Sequence, residues 1–326
     1  MTVKARMLKL LEQHENELIS GEAAAAELNC TRAAIWKAVK SLREEGYTIE
    51  AGPNKGYVLR GGSRLSEEGI RLYLDHPDAP VKIYRELDST NRAAKEAAFS
   101  GEAGHGALIL ARRQKSGRGR RGRSFYSPEN AGLYMSIVLR PDRTLKEGLL
   151  ITTAAATAVC RAVKKICGID LGIKWVNDLY FHNKKVCGIL TEAVTDFESG
   201  NIEFAVVGIG LNLYMPEGGF PEDIQETAGA LFENRKDAEH INCSILVAEI
   251  VNQLLMEVET PGLSREYTEN NIIPGNMIVI TDGQCTREAY AESIAPDGRL
   301  LVREQDGSET LLSYGEVSVR RKSDRG

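Results

Sequence analysis

Apolar residues recur at helical spacing from Val3 to Leu11, which predicts a first helix. Ser20-Gly21-Glu22 opens a second, Ala-rich helix that ends near Leu28. Thr31 is a good N-cap for a third, from Arg32 to Glu45, which Gly46 ends. On that helix Ile35, Val39 and Leu42 share a face that would be buried, while Ala33, Lys37 and Lys40 point away and Trp36 stands at the border. The period then changes to that of strands, at 47–51 and 57–59, around a turn-rich tip that carries Lys55. Three helices and a hairpin are the layout of a winged helix-turn-helix. The expected DNA contacts are Thr31, Arg32, Ala33, Trp36, Lys37 and Lys40 in a major groove and Lys55 of the wing on phosphate. A packing module with a solvated basic face is the plainer alternative. Gly61-Gly62-Ser63 reads as a linker, so a first domain is expected at 1–62.

The pattern beyond it predicts helices at 66–74, 92–99 and about 145–167, with strands at 82–87, 106–111, 133–139, 172–178, 186–194 and 204–209. Asn183-Lys184-Lys185 is read as the turn between two of these strands. Several strands are linked as hairpins, so an α+β domain with a mixed or antiparallel sheet is expected, spanning 63–271 and ending in helices at 243–258 and 263–270. From Ile272 the pattern is short strands at 277–280, 287–294, 300–303, 309–312 and 316–320. Turns at Asp282-Gly283, Asp297-Gly298 and Asp306-Gly307 separate them, and together they predict a small SH3-like β-barrel at 272–326.

The 326 residues allow two or three domains, and a 42% hydrophobic fraction supports a real core. The net charge of −5 means that any binding of phosphate or nucleic acid must come from local basic patches. The six cysteines include no CxxC pair and no His/Cys cluster suited to zinc, so reduced thiols in a cytoplasmic protein are expected, with no protein metal site. No apolar signal region and no membrane-spanning run is present.

The strongest basic patch is Arg112–Arg123, in which seven of twelve residues are Lys or Arg, three are Gly and none is acidic. It reads as a mobile loop that orders around anions, since glycine lets backbone N–H groups approach phosphate and Arg offers a planar fork. A solvated basic loop or a sequence-blind nucleic-acid contact would look the same. The loop lacks the strand–GxGxxG–helix setting of a dinucleotide fold, and the chain has no GxxxxGK[ST] loop. Asp88-Ser89-Thr90-Asn91 at a strand-to-helix turn suits either a helix cap or a small polar ligand. The glycines of Gly208-Ile209-Gly210 are read as sites of close approach.

These motifs occur in one order: Asp88-Ser89-Thr90-Asn91, GRGRRG at 117–122, Lys174-Trp175-x-Asn177-Asp178, Lys185 with Gly188, and Gly208-x-Gly210-x-Asn212. With them the chain resembles the biotin protein ligases, and with the winged helix their bifunctional type, which is also the biotin operon repressor. The resemblance covers nearly the whole chain. It implies that biotin and ATP, with Mg²⁺, condense to biotinyl-5′-AMP, and that a lysine of a biotin carboxyl carrier protein then takes the biotinyl group. It implies that Ser89, Thr90 and Asn91 hold the ureido end of biotin, with Gln114 beside them. Arg118, Gly119 and Arg120 would close over the adenylate, and Lys185 would stabilise the carboxylate–phosphate junction. Lys174, Asn177, Asp178 and Asn212 would serve the nucleotide. It further implies a homodimer on operator DNA with the adenylate as corepressor. Two departures from the family pattern are Val176 in place of a common Pro, and Phe125 or Tyr126 where a Trp commonly covers the adenine. A transcription factor that only senses a small molecule, and a lipoate or octanoate ligase, are the alternatives.

Overall fold

The computed structural model describes all residues except 1, 15, 45–46, 53–55, 61–64, 142–143, 145–146, 197, 199, 283–284, 314–316 and 322–326. Gly46, Lys55, the Gly61-Gly62-Ser63 linker, Leu145 and Gly283 therefore lie outside the described residues.

The chain begins with α1 (Val3–Gln13), α2 (Gly21–Glu27) and α3 (Arg32–Glu44), followed by the hairpin β1 (Ile49–Gly52) and β2 (Gly56–Leu59). Thr2, Ser20 and Thr31 cap the three helices, accepting from the amides of Ala5, Ala23 and Ala34 at 3.1, 2.9 and 3.2 Å. Met7, Leu8, Leu11, Ile35, Val39, Leu42, Ile49 and Leu59 form a core of their own, as the helical spacing required. Arg32, Ala33, Lys37 and Lys40 are exposed, and Trp36 is 57% exposed with the Lys40 ammonium over its ring at 5.7 Å.

The central part contains α4 (Glu67–Tyr73), β3 (Val81–Tyr84), α5 (Thr90–Phe99), β4 (Leu108–Ala111), β5 (Gly132–Leu139) and α6 (Gly148–Cys167). Then come β6 (Gly172–Lys174), β7 (Asp178–Phe181), β8 (Lys184–Thr195), β9 (Ile202–Asn212), α7 (Cys243–Glu259) and α8 (Arg265–Glu269). The sheet order is β3-β4-β5-β9-β8-β7-β6; β3 and β4 are parallel and the other neighbours antiparallel. Strand alternation divides the sheet by parity. Leu133, Met135, Ile137, Val207, Ile209 and Leu211 face the large core beneath α6 and α7. Val138, Phe204 and Val206 face α5, packing on Ala94 and Ala98. On that second face, register sets Gly208 between Ser136 and Leu190, and Gly210 between Tyr134 and Gly188. The missing side chains leave a hollow in the sheet beside the N-terminus of α5.

The segment expected as one strand over 172–178 is instead a tight reversal between β6 and β7, with Lys174 opposite Asp178. Burial explains it. Trp175 and Val176 turn inward, the Tyr267 hydroxyl donates to the Val176 carbonyl at 3.0 Å, and the Trp175 indole donates to the Gly298 carbonyl at 2.9 Å. The next turn is His182-Asn183, both at positive φ (47° and 62°), the geometry of a tight hairpin turn. Lys184 and Lys185, expected in that turn, begin β8.

The C-terminal strands β10 (Met277–Asp282), β11 (Cys285–Ile294), β12 (Leu300–Arg303), β13 (Glu309–Leu312) and β14 (Val317–Arg321) form an antiparallel sheet in the order β13-β12-β11-β10-β14. Ile278, Ile280, Ala291, Leu300 and Val302 join the large core, so this sheet shares its interior with the central part. Among the described residues no helix is long and apolar enough to cross a membrane.

Candidate active site

The hollow is the floor of a cavity of about 160 Å³. Ser89, Thr90, Asn91 and Gln114 line one end, Lys174, Asn177, Asp178 and Lys185 the other, and Arg118, Gly119 and Arg120 the roof. Eleven of the twelve residues expected at the ligand site thus converge from four separate segments, 89–91, 114–120, 174–178 and Lys185. The twelfth, Asn212, is not among the lining residues; its amide is buried and donates to the Gly229 carbonyl at 2.9 Å.

The polar end is built at the start of α5. Ser89 caps the helix, its hydroxyl 3.5 Å from the Arg92 amide. Gln114 Oε1 accepts from the Thr90 amide at 2.8 Å and lies 3.2 Å from its hydroxyl, while Gln114 Nε2 donates to Ser127 Oγ at 2.9 Å. Asn91 Nδ2 donates to the Leu190 carbonyl at 3.2 Å and to Glu192 at 2.9 Å. Its Oδ1 sits 2.0 Å from where a Cβ on Gly208 would lie, so the close approach expected of this glycine is made to Asn91. Gly210 serves the same purpose for the Phe125 ring, which a Cβ would meet at 2.5 Å. Of the two aromatic candidates for an adenine cover, Phe125 lines the cavity, whereas Tyr126 packs edge-on against Phe220.

The charged end carries an ion pair, Lys185 Nζ to Asp178 Oδ1 at 2.6 Å. Backbone bonds fix Lys185 from both sides: its amide donates to the Thr227 carbonyl at 2.7 Å, and its carbonyl accepts from Gly229 at 2.9 Å. Lys174 Nζ lies 5.1 Å over the Tyr180 ring.

The basic segment, expected as a mobile loop, is folded back on itself as a flap. The Gly119 amide donates to the Arg123 carbonyl at 2.7 Å and Phe125 to the Gly117 carbonyl at 2.8 Å. Arg121, at φ 56°, turns the tip. Its cations divide into two groups. Arg113 and Lys115 pair with Glu86 at 3.4 and 2.8 Å, and Arg112 donates to the Leu65 carbonyl at 3.2 Å. Arg118, Arg120, Arg121 and Arg123 line the cavity, where Arg120 NH1 donates to Asn177 Oδ1 at 2.9 Å. A cleft with this surplus of cations suits a polyanionic ligand, because preplaced charges and N–H donors need no reorganisation when negative charge builds.

Motif reading missed Ser136 and Glu192, which stand behind the polar end. Ser136 Oγ lies 2.7 Å from Asn91 Oδ1 and 2.8 Å from Thr90 Oγ1. Burial alone would raise the Glu192 carboxyl, but hydrogen bonds from Lys95 and Asn91 and the charges of Lys95 and Arg118 hold it below the usual carboxylate range. The available signal was a lone serine inside the apolar strand Gly132–Leu139 and an acid within the strand Lys184–Thr195.

Comparison with known proteins gives the family. Residues 83–212 match the model of the Biotin/lipoate A/B protein ligase family, and residues 4–58 match an HTH domain. The chain is 37% identical over 233 residues to the bifunctional ligase/repressor BirA of Bacillus subtilis, covering 71% of each. It is 30% identical over 328 residues to that of Salmonella typhimurium, covering 98% of each. Its fold is that of the biotin protein ligase from Aquifex aeolicus solved in complex with biotin and ATP (TM-score 0.61, 24% identity, 74% of this chain and 99% of that one). With both regions matched in order and a relative aligned almost end to end, the chain belongs to the bifunctional ligase/repressor BirA family.

Proposed function

We propose that this protein is an ATP-dependent biotin protein ligase and the repressor of biotin synthesis genes, with one ligand serving both roles. The observation that carries the reading is the convergence of Ser89–Asn91, Gln114, Arg118–Arg120 and Lys185 on one cavity. A biotin carboxylate oxygen attacks the α-phosphorus of ATP, pyrophosphate leaves, and biotinyl-5′-AMP forms. An uncharged carrier lysine amine then attacks the acyl carbon, AMP leaves, and an amide results. Thr90 and Gln114 hold the ureido ring, Arg118 and Arg120 close on the acyl phosphate, and Lys185 faces the oxygens where charge accumulates. Lys174, Asn177 and Asp178 receive the nucleotide, with Phe125 covering the adenine.

Mg²⁺ fits this end as the companion of ATP. Asp178 is the one carboxylate among the lining residues, and Mg²⁺ is commonly held by one or two carboxylates together with substrate phosphates. The chain divides into a DNA-binding domain at 1–62, a ligase domain at 63–271 and a C-terminal domain at 272–326 that supports the nucleotide end through Trp175 and Gly298. The adenylate-loaded protein acts as a homodimer on a two-part operator, and carrier protein frees the DNA by consuming the adenylate.

Incubation with labelled biotin, ATP and Mg²⁺ tests the enzyme reading. Label is expected to move to a carrier domain only when ATP is present, and lipoate or octanoate should not compete. Label transfer from lipoate in place of biotin would reassign the substrate. For the repressor role, the exposed face of α3 predicts that Lys37→Ala with Lys40→Ala weakens binding to DNA upstream of biotin synthesis genes. It should also lower the slope of log K against log salt by about 2, near one for each phosphate that is no longer neutralised. An unchanged slope in fluorescence anisotropy would remove α3 from the DNA interface.

A further inference from the structure

The polar end of the cavity rests on a chain of hydrogen bonds that has only one direction. Asn91 Nδ2 faces two groups that can only accept, the Leu190 carbonyl at 3.2 Å and Glu192 Oε2 at 2.9 Å. The orientation of its amide is therefore fixed, and Oδ1 must point at Ser136 Oγ, 2.7 Å away. An amide oxygen carries no proton, so Ser136 spends its single proton there. Of the two hydroxyls in the 2.8 Å contact between Ser136 and Thr90, only that of Thr90 still has a proton to give. Its other partner, Gln114 Oε1 at 3.2 Å, is also part of the protein. Ser136 Oγ is the closer acceptor and Gln114 Oε1 already takes the Thr90 amide, so the Thr90 proton goes to Ser136 and Thr90 presents lone pairs to the cavity. Gln114 is polarised the opposite way: its oxygen takes the Thr90 amide and one Nε2 proton goes to Ser127, which leaves the second as a donor. One acceptor and one donor side by side match an N–H next to a carbonyl in a cyclic urea.

We infer that Glu192 is a positioning residue for substrate selection: acting through Asn91 and Ser136, its carboxylate makes the Thr90 oxygen an acceptor for a ureido N–H. This rests on the biotin reading of the cavity. Glu192 is not among the lining residues, and its second oxygen is held by Lys95 Nζ at 2.7 Å, so both oxygens are committed. A glutamine at this position has one oxygen for two donors. If that oxygen goes to Lys95, its NH₂ faces the Asn91 NH₂, and the Leu190 carbonyl at 3.2 Å is left as the one acceptor of that pair that opposes the amide turning over and the chain of protons reversing.

The test compares biotin with a cyclic carbamate analogue in which one ureido N–H is replaced by ring oxygen, both regioisomers being used. A site built to bond an N–H rejects the analogue lacking it because its own polar group is left unpaired. Glu192→Gln is expected to raise the KM for biotin about tenfold while kcat and the KM for ATP stay within about threefold, and to shrink discrimination against one carbamate about tenfold. Ser136→Ala, which breaks the relay and keeps the carboxylate, should shrink it likewise. Lys95→Met, which keeps the carboxylate and its bond to Asn91, should leave discrimination as in the wild type. Equal losses for biotin and both carbamates, or an unchanged KM for biotin, would overturn the assignment. Wild-type protein that shows no binding of biotin by calorimetry would overturn the underlying reading as well.

Discussion

Replacing Lys185 with methionine is expected to lower biotin-dependent ATP–pyrophosphate exchange by about 10²–10³-fold, the usual cost of removing one group aimed at developing charge. Methionine retains most of the apolar stem, so the loss reads the ammonium and not the packing. The backbone at Lys185 is bonded on both sides, to Thr227 and Gly229, which holds the residue in place when its head is changed. A second effect adds to the first. Without the ammonium, Asp178 loses its 2.6 Å partner and stands as an uncompensated negative charge where phosphates must enter. Adding Asp178→Asn should recover none of the rate, since neutralising the acid restores no cation and removes the carboxylate proposed to hold Mg²⁺. Exchange within about threefold of wild type in Lys185→Met would take this lysine out of the reaction centre.

Arg120→Gly is expected to keep forming adenylate and to release it about 10–100-fold faster. Arg120 ties the flap to the sheet: its guanidinium donates to Asn177 Oδ1 at 2.9 Å, and Asn177 in turn donates to the Ile189 carbonyl at 2.7 Å. A hydrogen bond from a charged group contributes about 1.5–3 kcal/mol, which corresponds to that range of rates. Glycine removes the bond and frees the backbone as well. Rapid filtration after a pulse of labelled biotin and ATP would show protein-bound label decaying faster, and the freed mixed anhydride would label bulk amines. Bound label that decays as slowly as in wild type would show that the flap closes without this cation. Under the proposed corepressor role of the adenylate, the same loss should weaken operator binding.

Local chemistry made the elements legible. Helix starts at Ser20 and Thr31, helical spacing in α1 and α3, and turn residues such as Asp297-Gly298 are decided by groups within a few residues of one another. The candidate site was legible for a different reason. Charge-dense or glycine-rich stretches such as 117–122 are poor core material, and they invite a ligand as the explanation of their composition.

Segments governed by distant partners were read less well. Over 172–178 the alternation is that of a strand, yet Trp175 and Val176 are drawn under Tyr267 and Gly298, about a hundred residues away along the chain, and the segment reverses. Gly208 and Gly210 announce that something comes close without naming it, and only sheet register brings Asn91 and Phe125 there. Glu192 and Ser136 have no motif, because their role is to orient a neighbour and not to touch the ligand.

By itself the sequence determined which residues could do the chemistry, since cations, small hydroxyls and glycines keep their character in any fold. The tertiary structure decided which of those groups share a cavity, which cations are spent on Glu86 or a carbonyl, and which way the protons run behind Thr90. Those choices belong to pairs of atoms about 3 Å apart in space and tens of residues apart in the chain, where no local pattern records them.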